Sequence, residues 1–179
     1  MALKSTVYKA KLEVVDLDRH YYATHDLTVA CHPSETERRL LVRLVAFALH
    51  AHERLSFGKG VSDSDEPDLW LKDLDSQIDL WVELGHPDDR TLTKACGRAR
   101  RVVVYTYSAN PHLWWDGLES RANRWKNLKV VSFDAEDCEA LEAMADRALD
   151  VQVTIQEGEI WVRNGRGSEV RLIPTTLKD

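Results

Sequence analysis

Apolar and polar side chains alternate over residues 3–15 and again over 22–30, on either side of the polar stretch DLDRHYY. A period of two predicts an opening hairpin of half-buried antiparallel strands. The period lengthens in HPSETERRLLVRLVAFALHAHERL, where Ser34 is placed to cap and Glu37 follows three residues later, so a long helix is expected over about 34–55. The loop FGKGVSDSDEP then leads through Pro67 into a short extended piece at Asp68–Trp70. In QIDLWVELG the alternation returns, with Ile78, Leu80, Val82 and Leu84 on one face and Asp79, Trp81 and Glu83 on the other. Pro87 and Asp88 open a helix to about residue 97, and RVVVYTY at 101–107 reads as a buried strand. The unit repeats in PHLWWDGLESRANRW as helix and NLKVVSF as strand, before DAEDCEALEAMADRAL, a helix whose acidic start suits its dipole. Strands at 150–156 and 159–163, joined by a Glu-Gly turn, and another near 168–173 close the chain. The expected fold is one α/β domain over residues 1–179, a mixed β-sheet flanked by helices with an added N-terminal β-hairpin.

Composition narrows the class. A chain of 179 residues with 44% hydrophobic and 30% charged side chains suits one folded domain with a sizeable core. Its longest apolar run, LLVRLVAFALHAH, is broken by Arg43 and falls short of the roughly 18 apolar residues a membrane span requires. The N-terminus passes straight into strand alternation without a secretory pattern, so a cytoplasmic protein with no membrane partner is expected. Cys31, Cys96 and Cys138 lack CxxC spacing and read as reduced thiols. A net charge of −6 argues against a surface that grips nucleic acid everywhere. It leaves a local patch, Arg98, Arg100 and Arg101 with Arg121, Arg124, Lys126 and Lys129, as the surface able to contact phosphates. Helix ends collect such charges for their own reasons.

Two carboxylates carry the candidate chemistry. If the Asp68 segment pairs with the strand of Glu83, residues 71–77 form the connection and the two acids can meet on one face. Oxygen ligands of that kind suit a hard cation that keeps open positions for water and a substrate phosphate. The plainer reading is a polar, wet sheet face shared with Asp79. Glu37 falls on the inward arc of its helix, in line with Leu55, and is either a third carboxylate or the Glu of a capping box with Ser34. His86 stands beside the strand's end, as an acid or base or as a turn residue before Pro87.

The order helix, loop, EPD, strand ending in Glu, helix, strand resembles the PD-(D/E)xK nuclease core. More closely, the blocks MALKSTVYKA, HPSETERRL, DEPDLW, IDLWVELGHPDDR, KACGRA and TIQEGEIW resemble the bacterial YaeQ family over nearly the full length. The resemblance implies a divergent, restriction-endonuclease-like core. It assigns the Pro-Asp element to Pro67 and Asp68 and the Glu of Glu-x-Lys to Glu83, as ligands of Mg²⁺ with Mn²⁺ as substitute. Gly85 stands where that pattern has its lysine, and Lys94 in the following helix is the candidate replacement. Two functions are therefore expected: a Mg-dependent phosphodiesterase acting on nucleic acid, with Asp68, Glu83, Lys94 and Glu37 in the site, or a catalytically inactive form that binds or regulates.

Overall fold

Alternation builds the first two strands as expected. In the computed structural model, which describes residues 4–179 apart from the side chain of Ser62, β1 (Thr6–Asp16) and β2 (Tyr21–Cys31) run antiparallel from Thr6↔Cys31 to Asp16↔Tyr21. Leu3, the first residue of the expected strand, lies outside the described residues. Tyr8, Ala10, Leu12 and Val14 point inward and are buried.

The long helix is shorter than its pattern. It is α1 (Glu37–Leu49), and Thr36 rather than Ser34 caps it, its Oγ1 accepting from the Arg39 N–H at 3.1 Å. Ser34 instead bonds His32 Nδ1 at 2.6 Å. At the other end the Arg19 guanidinium donates to the carbonyls of Ala48 (3.2 Å) and Ala51 (3.3 Å), satisfying acceptors that a helix terminus leaves bare. Arg19 is itself held by buried Asp16 at 2.6 Å. The chain then leaves the helix, and Leu55 opens β3 (Leu55–Phe57). Arg43 is buried within α1, donating to Glu35 Oε2 (3.1 Å) and the Ala30 carbonyl (2.9 Å).

The middle of the chain follows the expected order: β4 (Leu69–Lys72), β5 (Ile78–Leu84), α2 (Asp89–Arg98), β6 (Ala99–Thr106), α3 (Pro111–Ala122) and β7 (Leu128–Ser132). α4 (Ala135–Glu142) ends early because β8 (Ala148–Gln156) already begins within the predicted helix. Strands β9 (Glu159–Asn164) and β10 (Glu169–Leu172) follow, and then β11 (Thr175–Lys178), which periodicity did not predict.

These strands form two mixed sheets, not one. The first has the order β10-β9-β8-β1-β2 and the second β11-β7-β6-β5-β4-β3. The hairpin joins the first because β1 pairs in parallel with β8, matching Ala10↔Leu149, Leu12↔Val151 and Val14↔Val153, so two inward apolar rows fall in step. Packing gathers the chain into two compact units. One runs up to Ala51 and resumes over Glu136–Pro174, and the other comprises His52–Ala135 with Thr175–Asp179. In the second unit β5, β6 and β7 run parallel, and α2 and α3 supply Leu92, Ala95, Trp115 and Leu118 to a core that includes Trp81 and Trp125. No helix among the described residues is long and apolar enough to cross a membrane.

Candidate functional site

Asp68 is brought to β5 by local geometry. Antiparallel pairing runs Leu71↔Leu80, Trp70↔Trp81, Leu69↔Val82, so continuing the register by one residue sets Asp68 beside Glu83. Two hydrogen bonds fix it there. The Asp68 N–H donates to the Val82 carbonyl (3.0 Å), and Asp68 Oδ2 accepts from the Leu84 N–H (2.9 Å), so Asp68 is tied to both chain neighbours of Glu83. The Asp68 residue is wholly buried. Behind it Gly58 donates its N–H to the Asp68 carbonyl at 3.1 Å. A Cβ on Gly58 would lie 2.1 Å from the Pro67 carbonyl oxygen, so only glycine lets the chain pass this close. Gly58→Ala is expected to lower the stability of this unit by about 1–3 kcal/mol, the usual range for forced overpacking, measured by denaturant unfolding.

Glu83 lies on the face covered by α2 and α3, half-buried, with its Oε1 accepting from the Trp81 indole N–H at 2.8 Å. Alternation sets Trp81 on this face as an exception among otherwise polar residues. It is fully buried in the core. Two carboxylates with fixed orientations suit Mg²⁺, which commonly takes one or two protein carboxylates and completes its shell with water and substrate phosphate. Among the described residues no cluster of three or more His, Cys, Asp or Glu side chains converges to enclose a metal.

Lys94 points to the loop that precedes Asp68. Its ammonium donates to the Ser64 carbonyl and to Asp65 Oδ1 (3.2 Å). Arg98 joins it there, donating to the Asp65 carbonyl at 3.1 Å and lying 5.2 Å from the Trp81 ring centroid. Gly85 has φ +92°, a conformation costly for any residue with a Cβ. The backbone itself therefore disfavours a lysine at this position.

Glu37, expected on the inward arc, is exposed in the first turn of α1, and its Oε1 accepts from the Tyr8 hydroxyl at 2.9 Å. Burial first, and this bond second, push the Tyr8 phenol up to about 12. Glu37 belongs to the first compact unit, whereas Asp68, Glu83 and Lys94 belong to the second.

The basic patch is divided. Arg100 pairs with Asp79 (2.5 Å) and Asp73 (3.2 Å), while Arg121 and Arg124 both pair with Asp89 at 2.5 Å, and Lys129 pairs with Asp179 at 2.8 Å. Asp89 opens α2 and Arg98 closes it, so the two arginine groups are anchored at opposite ends of a helix about 15 Å long. Four of these cations already face carboxylates. Arg101 is exposed.

The three cysteines are free thiols, and burial pushes Cys96 up to about 11. Comparison with known proteins places this arrangement in context. The model of the YaeQ protein family matches residues 1–172. The chain is 43% identical to the uncharacterized YaeQ protein of Escherichia coli K12 over 174 residues, covering 96% of each chain, and 42% identical to that of Salmonella typhi over the same span. Among solved structures it is similar to the YaeQ protein of Xanthomonas axonopodis pv. citri (TM-score 0.92, 44% identity, 97% of this chain and 98% of that one). The YaeQ protein of Pseudomonas syringae gives a TM-score of 0.93 at 36% identity, over 98% and 97% of the two chains.

Proposed function

The chain belongs to the YaeQ family, and from that premise we propose that it is a divalent-cation-dependent phosphodiesterase acting on nucleic acid, built on a divergent PD-(D/E)xK core. The supporting observation is the placement of Asp68, buried and hydrogen-bonded to the residues on either side of Glu83. Asp68 and Glu83 are the residues that would hold Mg²⁺ or Mn²⁺ through hard carboxylate oxygens. When bound, such a cation activates water and offsets charge on the phosphate. The protein's part is orientation. The Leu84 N–H fixes Asp68, the Trp81 indole fixes Glu83, and supporting bonds of this kind keep a site from being too loose to work. Lys94, on α2 with its ammonium bonded to Asp65 in the loop leading into Asp68, is the candidate among the predicted residues to steady the attacking water, and Glu37 is not needed for this reading. The test is a Mg²⁺ and Mn²⁺ titration with labelled single- and double-stranded DNA and RNA, in which cleavage should appear with the metal and stop with EDTA. Silence on every substrate ends this reading.

One observation favours the second reading, an inactive nuclease-like fold that binds or regulates. The left-handed backbone at Gly85 disfavours the lysine that a working nuclease places there. On this reading nucleic acid is held by the arginines not already neutralised, chiefly Arg98 and Arg101, since Arg100 faces Asp73 and Asp79. Arg98→Glu with Arg101→Glu is expected to weaken duplex binding about tenfold or more and to flatten the slope of log K against log salt by roughly 0.9 for each phosphate no longer neutralised. Binding by fluorescence anisotropy that ignores both arginines removes the nucleic-acid role and leaves a protein partner.

A further inference from the structure

The first sheet has a polar face, opposite its buried apolar rows, and that face carries a cavity. Along β8 the residues Val151, Val153 and Ile155 are buried, so alternation turns Gln152, Thr154 and Gln156 to the other side. In the same way β9 buries Ile160 and Val162 and presents Trp161 and Arg163, while β10 buries Val170 and Leu172 and presents Glu169 and Arg171. Pairing sets these side chains in rows. One row is Gln152, Arg163 and Glu169, the next is Thr154, Trp161 and Arg171, and Gln156 stands opposite Glu159. The cavity measures about 310 Å³ and is lined by Gln152, Thr154, Gln156, Trp161, Arg163 and Glu169, all from this one face. That volume lies at the lower end of the roughly 300–1,000 Å³ of small-molecule sites.

The charges on this face cancel. Arg163 donates through Nε (3.1 Å) and a terminal nitrogen (2.8 Å) to Glu169, and Arg171 donates through Nε to Glu159 at 2.7 Å. Two cations facing two carboxylates leave no surplus charge for a phosphate or a metal ion, and nucleic acid is gripped chiefly by cations that neutralise its phosphates. Arg171 also lies over the Trp161 ring, 5.7 Å from its centroid, and it comes from β10 without lining the cavity. The indole is thus braced from one side and borders the cavity on another. Gln152 and Gln156 each offer a carbonyl acceptor and two N–H donors, and Thr154 offers a hydroxyl that does both. Among the described residues, none of these three side chains is engaged by another protein group.

We propose that this face binds a neutral oligosaccharide built of gluco-configured pyranose rings. A ring of that configuration holds its hydroxyls close to its own plane and presents C–H groups above and below, so it is apolar in face and polar at the rim. Trp161 supplies a rigid apolar surface for the C–H groups. The amides of Gln152 and Gln156 and the Thr154 hydroxyl donate and accept, as sugar hydroxyls do. A wholly apolar ligand would cover those groups without satisfying them. A nucleobase is also flat, but in a strand it brings a phosphate, and both arginines here already face carboxylates. The lining residues all lie within Glu136–Pro174, in the compact unit that contains neither Asp68 nor Glu83, so the site is independent of the nuclease reading.

The test is isothermal titration calorimetry of the full chain in EDTA, which separates it from the metal-dependent reading, with maltohexaose, cellohexaose and chitohexaose at millimolar concentration. At least one should bind, with the same affinity in low and high salt, since no counterion is released. Trp161→Ala should weaken that binding at least about tenfold, through the lost aromatic surface. Gln152→Ala combined with Gln156→Ala leaves the buried rows untouched and should weaken it by about tenfold, through two lost hydrogen bonds. Both variants are checked for folding by circular dichroism, and if Trp161→Ala does not fold the glutamine variant decides. The native chain is the first arbiter: no binding of any of the three sugars overturns the proposal. Sugar binding that either folded variant leaves at native strength overturns it too. So does an oligouridylate that binds where the sugars do not and is lost in Trp161→Ala, which would give the face to single-stranded nucleic acid.

Discussion

Asp68→Ala is expected to lower metal-dependent phosphodiester cleavage at least about a hundredfold, equivalent to roughly 2.7 kcal/mol of lost transition-state stabilisation. The same change has a structural cost. It removes the acceptor of the Leu84 N–H in a wholly buried place, and a buried donor left unsatisfied costs about 1–3 kcal/mol. Loss of activity in Asp68→Ala alone could thus come from a loosened β4–β5 edge. Asp68→Asn separates the effects, because its carbonyl oxygen can still accept from Leu84 and its size is unchanged, while its charge is gone. The expected pair of results is near-native stability with cleavage still lost. An Asp68→Asn protein that cleaves at the native rate would show that the carboxylate charge has no part in the reaction.

What could be read from the sequence was local. The alternation in QIDLWVELG gave the strand and the face of Glu83, and Pro67 gave the extended entry of Asp68, so their meeting needed only the short connection at 71–77. Pairing between distant segments was out of reach. Nothing in the residues of β1 names β8 as its parallel neighbour, and the split into two sheets depends on that match. A helical wheel likewise gives the face of α1 but not its end, which Arg19 sets from the β1–β2 turn by bonding the carbonyls of Ala48 and Ala51. The wheel continued through Leu55 and so turned Glu37 inward, whereas the structure leaves it exposed against Tyr8. Arg43 looked like an interruption in an apolar run. Its partner Glu35, eight residues earlier, makes it a buried ion pair, and that distinction depends on three-dimensional solvation. The close pass of Gly58 over Pro67 and the meeting of His86 with Ser108 also join separate loops, and no spacing rule announces either.

Trp81→Ala is expected to destabilise the protein by about 3–5 kcal/mol, a large share of the roughly 5–15 kcal/mol that holds a domain folded. Trp81 is fully buried among residues of α2 and α3, with Trp70 edge-on at 6.1 Å. For a chain of this length the melting temperature should fall by roughly 6–20 °C, and calorimetry reading a shift of only a degree or two would contradict the packing described. Trp81→Phe tests the link to the site. It keeps an aromatic ring in the core but has no N–H, so Glu83 Oε1 loses the donor at 2.8 Å. Stability should fall by about 1–2 kcal/mol from the missing bond and the smaller ring. Metal-dependent cleavage should fall further than that loss explains, because a carboxylate free to turn is no longer held where a cation needs it. Equal falls in stability and cleavage would mean that Trp81 supports the sheet without steering Glu83.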